Sequence, residues 1–254
     1  MDPNRKAEKA EKVAAKKAAY EEEVAGLTFV EWPKIARLNR DVVITEKLDG
    51  TNAAIGIVEM TGHPEGWAPP PNEGCVKVNN VWYRVYAQSR SRIITPSDDN
   101  YGFAMWVRRH AASLVELIGA GLHFGEWWGV GINRQYDLSE RRFSLFNTAK
   151  WEDDPAGKAA LATARERDCA IYTVPVLYAG PWVSDFEVRC EELGKGGIPI
   201  TETFAPDVML EILKHKGSVA APGFMDPEGI VVFHKASGQC FKATTENDAG
   251  HKGA

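Results

Sequence analysis

The pattern of the chain predicts an α+β fold built mainly from antiparallel sheets, and three observations carry that expectation. Short β-rich runs are joined by tight turn dipeptides from residue 40 onward. Helical periodicity is confined to a few segments between those runs, and the order strands, helices, strands lacks the strict alternation of a doubly wound parallel sheet. Composition agrees: among 254 residues, 44% are apolar and 26% charged, which suits a globular core and excludes a collagenous or wholly disordered chain.

Residues 1–26 stand apart as a charged helix. Ala, Lys and Glu dominate, and Val13, Tyr20, Val24 and Leu27 recur at helical spacing. Two readings apply: a solvated helix that packs by one thin stripe, or a basic arm (Arg5, Lys6, Lys9, Lys12, Lys16, Lys17) for nucleic acid. An equal number of acidic residues favours the first. Residues 27–254 form the main domain. DVVITEKLDG and TNAAIGIVE are strands turning at Asp49-Gly50, a hairpin dipeptide. The Pro/Gly-rich stretch TGHPEGWAPPPNEG is a surface loop, and a second hairpin turns at Asn79-Asn80.

Residues 99–119 are expected to be the longest core helix, with Phe103, Trp106, Val107, His110, Leu114, Leu117 and Ile118 on one stripe. LHFGEWWG and RRFSLFNT are aromatic-rich strands. A helix over AGKAALATARER, one strand over AIYTVPVLYAG, and helices near 182–193 and 206–216 follow. EGIVVFH and QCFKATT close the pattern as a hairpin at Ser237-Gly238.

No run of 18 apolar residues crosses a membrane, and the N-terminus lacks the apolar stretch of a secretory signal. Cys75, Cys169, Cys190 and Cys240 form no C-x-x-C pair, so neither a zinc ribbon nor a disulfide framework is expected, and a reducing cytoplasm fits. The net charge of −5 excludes a generally basic nucleic-acid coat; phosphate contacts must come from a local surface. Arg134, Arg141 and Arg142, with Arg84, Arg108 and Arg109, are candidates for one. GKGG at 194–197 is no P-loop, and the histidines lack zinc spacing.

The most informative stretch is Glu46-Lys47-Leu48-Asp49-Gly50-Thr51-Asn52, where a strand-end lysine can line a pocket floor and Gly50 permits close backbone approach. Four segments follow it in order: Ser89-Arg90-Ser91-Arg92, Phe124-Gly125-Glu126, Phe143-Ser144-Leu145-Phe146, and Glu228-Gly229-Ile230-Val231-Val232, with Lys242 on the last strand. This set resembles the covalent nucleotidyltransferases, the superfamily of polynucleotide ligases and capping enzymes. EKLDGTN is most similar to the ATP-dependent RNA ligases of the phage nick-sealing type, over roughly residues 40–245.

The resemblance implies two antiparallel sheets flanked by helices with ATP between them. It also implies a cytoplasmic monomer that acts on RNA ends or nicked duplexes, away from membranes. By the same resemblance, Lys47 is the nucleophile that takes AMP from ATP, with Lys242 beside it. Glu46, Asn52, Arg92, Glu126 and Phe146 bind the nucleotide, and Glu228 holds Mg²⁺. Arg90 competes with Arg92 for phosphate. Phe143 competes with Phe146 for adenine, and three residues apart on one strand they face opposite ways. Chemistry adds that a lysine must lose its proton to attack, which desolvation or nearby cations promote. Carboxylates on otherwise apolar strands point to metal or hydroxyl ligation.

The chain departs from the resemblance at its last motif, where Lys242 stands without the second lysine two residues away; Lys235 or Lys252 are the substitutes at hand. It also stops about a dozen residues later, so no C-terminal OB domain is expected. The rival readings are a small DNA ligase, a GTP-using capping enzyme, and a nucleic-acid-binding module with impaired catalysis.

Overall fold

The computed structural model describes residues 3–62, 64, 66–70, 74–167, 169–186 and 200–246. The chain divides into two compact units, Met1–Ala36 and Arg37–Ala254. In the first, helix α1 (Pro3–Glu23) forms over the Ala/Lys/Glu run, with Pro3 at its start, where a missing N–H costs nothing.

In the second unit, β1 (Asp41–Lys47) is followed by β2 (Thr51–Met60), the hairpin β3 (Cys75–Val78) and β4 (Val81–Ser89), and the short β5 (Ile93–Ile94). Helices α2 (Phe103–Arg109) and α3 (Ala111–Ile118) lead to β6 (Gly121–Gly129) and β7 (Arg141–Leu145). A π-helical turn (Ala149–Asp153) and α4 (Pro155–Glu166) precede β8 (Ile171–Thr173), β9 (Val176–Pro181) and β10 (Val183–Phe186). The described part ends with β11 (Ile200–Phe204), α5 (Ala205–Lys216), β12 (Gly229–His234) and β13 (Gln239–Thr244).

These strands form two principal sheets. The larger has the order β3-β4-β2-β6-β7-β8 with β5 on β4, and the smaller is β13-β12-β1-β9. Helices cover one face of each. Ile55, Ile57, Val85, Trp127 and Phe143 of the larger sheet pack on Phe103, Leu114 and Leu161 of its helices. Val42, Ile44, Ile230 and Val232 of the smaller pack on Val208 and Leu213 of α5. Because side chains alternate along a strand, the opposite faces carry the remaining residues, Lys47 and Glu126 among them.

The expected hairpins at Asn79-Asn80 and Ser237-Gly238 are present. Both asparagines are left-handed (φ 47° and 67°), as a two-residue type I′ turn demands, and Gly238 has φ 67°.

Four expectations need correction. β1 and β2 do not pair across Asp49-Gly50: β1 lies between β12 and β9, β2 between β4 and β6. The turn carries the chain from one sheet into the other. The stripe over 99–119 forms two helices rather than one, because His110 (φ −100°, ψ 11°) leaves the helical conformation, although Phe103, Val107 and Leu114 still bury on one core. AIYTVPVLYAG is two strands. β8 runs parallel to β7, β9 antiparallel to β1, and Pro175, with no N–H to give a ladder, separates them. That parallel pair makes the larger sheet mixed. Residues 183–186, expected to be helical, are a strand paired with β11; the rest of that expected helix, with Cys190 and GKGG, lies outside the described residues.

Candidate active site

The sheet crossing after β1 builds the site. Gly50 is needed there for space: a Cβ would come within 2.4 Å of the Trp127 carbonyl and 2.7 Å of Trp128 Cβ, so the turn lies flat against β6. This close approach leaves Lys47, the last residue of β1, beside both sheets.

Lys47 pairs in register with Gly229 of β12, and its Nζ lies 2.5 Å from Oε2 of the adjacent Glu228. Their side chains are only 23% and 19% exposed, so the pair is shielded from water on most sides. Glu228 Oε2 is buried and accepts no aligned hydrogen bond among the described residues. Across on β6, Glu126 stands opposite Asn52 of β2 and Ser144 of β7. Burial pushes the Glu126 carboxyl up to about 7; Lys47 pulls against the shift, while Glu228 and Asp49 add to it and the Gly50 N–H opposes it.

Two carboxylates that burden each other beside a lysine suit a divalent cation. Among the described residues no group of three His, Cys, Asp or Glu side chains could hold a metal by protein ligands alone.

The remaining candidates fall into place unevenly. Phe143 is fully buried, 5.1 Å from the Phe103 ring, and is a core residue. Phe146 stands 40% exposed beyond β7, its N–H bonded to the Phe124 carbonyl. Lys242 is exposed on β13, on the same face as Lys47. It is displaced by two strands and two residues, which strand spacing converts to about 12 Å between Cα positions. Lys235 cannot stand in for a second lysine: its N–H bonds Asp41 at the far end of β1, about 20 Å from Lys47 at strand rise. Lys252 lies outside the described residues. Arg90 is exposed, and Arg92 already directs both Nη groups at Asp98, one of them at 2.9 Å. A phosphate would have to displace that carboxylate.

The Glu46 side chain points the other way from Lys47, into the face under α5, and is 1% exposed. Its carboxylate accepts from Ser218 Oγ (2.6 Å) and from the N–H groups of Val219 (2.8 Å) and Ala220 (2.9 Å). Burial raises its pKa against these bonds. The Ala220 carbonyl in turn accepts from Arg142 on β7 at 3.4 Å. Glu46 thus anchors a loop that bridges the two sheets, and its carboxylate has no free edge for a nucleotide.

Residues 133–136 hold the turn after Lys47. Asn133 Nδ2 donates to Asp49 Oδ1 and the Gly50 carbonyl, both at 2.8 Å. Asp49 N–H donates to the hydroxyl of buried Tyr136 at 2.8 Å, and burial raises the pKa of that hydroxyl. Arg134, Arg141 and Arg142, grouped by sequence as a basic surface, are engaged internally. Arg141 donates to the Val130 and Tyr101 carbonyls, and Arg142 to Glu140.

The RNA ligase family model matches residues 40–244, which takes in both sheets. The chain belongs to the RNA ligase family. No curated protein matches it. Among solved structures, three variants of the Naegleria gruberi RNA ligase are similar. A lysine-to-alanine variant with ATP and Mn shares 14% identity at a TM-score of 0.45, covering 82% of this chain and 49% of that one. A glutamate-to-alanine variant with ATP and Mn gives 14%, 0.46, 86% and 57%. Another glutamate-to-alanine variant with AMP and Mn gives 15%, 0.43, 86% and 56%. The chain spans about half the length of these solved structures. No helix among the described residues is long and apolar enough to cross a membrane.

Proposed function

We propose that this member of the RNA ligase family is an ATP-dependent ligase joining 5′-phosphate and 3′-hydroxyl ends of RNA through a lysyl-AMP intermediate. The observation that carries the reading is the Lys47 ammonium, held 2.5 Å from Glu228 at the crossing between the sheets, with Glu126 opposite. Lys47 Nζ attacks the α-phosphorus of ATP, the bond to the β-phosphate oxygen breaks, and pyrophosphate leaves. The nearest acceptor for the Nζ proton is Glu228 Oε2. AMP then passes to the RNA 5′-phosphate, and the 3′-hydroxyl displaces it.

The other residues act by holding the nucleotide. Glu126 and Asn52, side by side in register, are placed to accept from and donate to ribose hydroxyls. Phe146 offers a ring face to adenine. Arg92, once released from Asp98, and Lys242 supply charge for phosphates. Glu46 contributes by fixing the bridging loop rather than by touching ATP. When bound, Mg²⁺ on Glu228 supplies charge that offsets the negative charge of the α-phosphate. The chain acts as a monomer on RNA ends or nicked duplexes in a reducing cytoplasm.

Incubation with ATP labelled at the α-phosphate and Mg²⁺, followed by denaturation, tests the reading. Label should stay on the wild-type chain and be absent from Lys47→Ala. Equal labelling of the variant removes Lys47 as nucleophile, and labelling from GTP alone points to capping chemistry. A nicked duplex with RNA at the 3′-hydroxyl side should be sealed faster than its all-DNA counterpart; equal rates favour a DNA ligase.

A further inference from the structure

The Lys47 turn and the segment leading to Glu228 are tied to one guanidinium. Arg134 Nε lies 3.2 Å from Asp49 Oδ2, two residues past Lys47, as a close charge pair rather than an aligned hydrogen bond. Its Nη1 donates to the Asp226 carbonyl at 3.0 Å and pairs with that residue's carboxylate, two residues before Glu228. Its Nη2 lies 3.1 Å from Glu246 Oε1, just past β13. The Arg134 side chain is 17% exposed, although Asp226 and Glu246 are largely open to solvent. Surface ion pairs do not need this burial. A planar fork that reaches three separate segments at once does, and an ammonium has no fork.

The loop that presents Arg134 is itself unusual. Asn133, Gln135, Tyr136 and Asp137 all adopt left-handed φ values between 42° and 58°, which side-chain-bearing residues rarely do. Such a run persists only where surrounding contacts fix it, and several of those contacts go to the turn after Lys47: Asn133 to Asp49 and Gly50, Tyr136 to Asp49 N–H, Arg134 to Asp49.

We propose that Arg134 is a positioning residue for the attack of Lys47, acting through Asp49 to set the register of the lysine against Glu228. This role rests on the ligase reading above. It assigns Arg134 no contact with ATP or RNA. Its loss should therefore slow the reaction of bound ATP without weakening the binding of ATP.

The test is the rate of self-adenylylation of the full chain, followed with α-labelled ATP and Mg²⁺ over an ATP titration. Arg134→Ala should lower the rate at saturating ATP by about 10- to 100-fold, the cost of a misplaced nucleophile. Its KM for ATP should stay within about threefold, since uniform binding is untouched. Arg134→Lys, which keeps the charge and loses the fork, should also be slow while keeping the wild-type far-UV circular dichroism at the assay temperature, so it carries the test if the alanine variant does not fold. Asp49→Asn should be slow as well, and the Arg134→Ala/Asp49→Asn double variant should fall no more than about threefold below the slower single, because both changes break one linkage. A wild-type rate in Arg134→Lys, an unchanged rate with a raised KM, or multiplying losses in the double variant would each overturn the role. Absence of label on the wild-type chain would instead remove the ligase reading on which the role rests.

Discussion

Glu126 should cost the protein stability at the pH where it works, and Glu126→Gln should recover it. Burial shifts the carboxyl from its ordinary 4.5 to about 7. A carboxyl whose folded-state pKa is raised keeps its proton in the folded chain after the unfolded chain has released it, so stability is full below 4.5 and is lost as pH rises through 7. At 1.36 kcal/mol per pKa unit the whole shift corresponds to roughly 3 kcal/mol. Between pH 5 and 8 the glutamine variant should gain roughly 2–3 kcal/mol on the wild type, since glutamine does not titrate. For a domain of this size that is roughly 5–10 °C in Tm. The assay is thermal unfolding of both proteins with EDTA across pH 5–8.5. Comparison at each pH cancels the contribution of Glu46, which the variant retains and whose raised pKa has the same sign. Parallel Tm curves would refute the argument, because they would mean that Glu126 titrates alike in the folded and unfolded chains. The variant should also label poorly with ATP, so the site would exchange stability for function.

Two further outcomes separate the core from the site. Phe143→Ala should cost about 3–5 kcal/mol in urea denaturation, as loss of a buried ring does, whereas Phe146→Ala should leave the midpoint nearly unchanged and raise the KM for ATP. Glu46→Ala should destabilise by about 2–4 kcal/mol in the same assay, because the Ser218 hydroxyl and the Val219 and Ala220 N–H groups lose their buried acceptor; a change under about 0.5 kcal/mol, the range of ordinary surface substitutions, would show that the bridging loop does not depend on it.

What the sequence made legible follows from the range of the interactions involved. The hairpins at Asn79-Asn80 and Ser237-Gly238 rest on left-handed turn residues next to the strands they join, and both were readable. The core stripe of residues 103–118 was readable as well, but the break at His110 was not, since both halves keep the same buried face. Glu46 shares its motif with Lys47, yet period-2 alternation alone puts their side chains on opposite faces, and only the fold shows that Ser218 and the two backbone N–H groups, more than 170 residues away, consume the carboxylate. Arg134 was legible only as one of several candidates for a basic surface, because its partners come from three distant segments.

The misread turn at Asp49-Gly50 is the point at which fold and chemistry meet. A hairpin there would set β1 and β2 side by side in one sheet, and Lys47 would not reach the second sheet. In the fold adopted, the glycine allows the backbone to press against Trp127 and Trp128, and the chain leaves one sheet for the other within three residues. Lys47 then ends a strand of the small sheet while Asn52, five residues on, begins to pair with Glu126 in the large one. A single short turn thus brings a lysine from one sheet and a buried carboxylate from the other to the same place. That closeness is why Glu126 feels Lys47, Glu228 and Asp49 together. A side chain at position 50 would have to push the turn off β6, and the lysine would move with it.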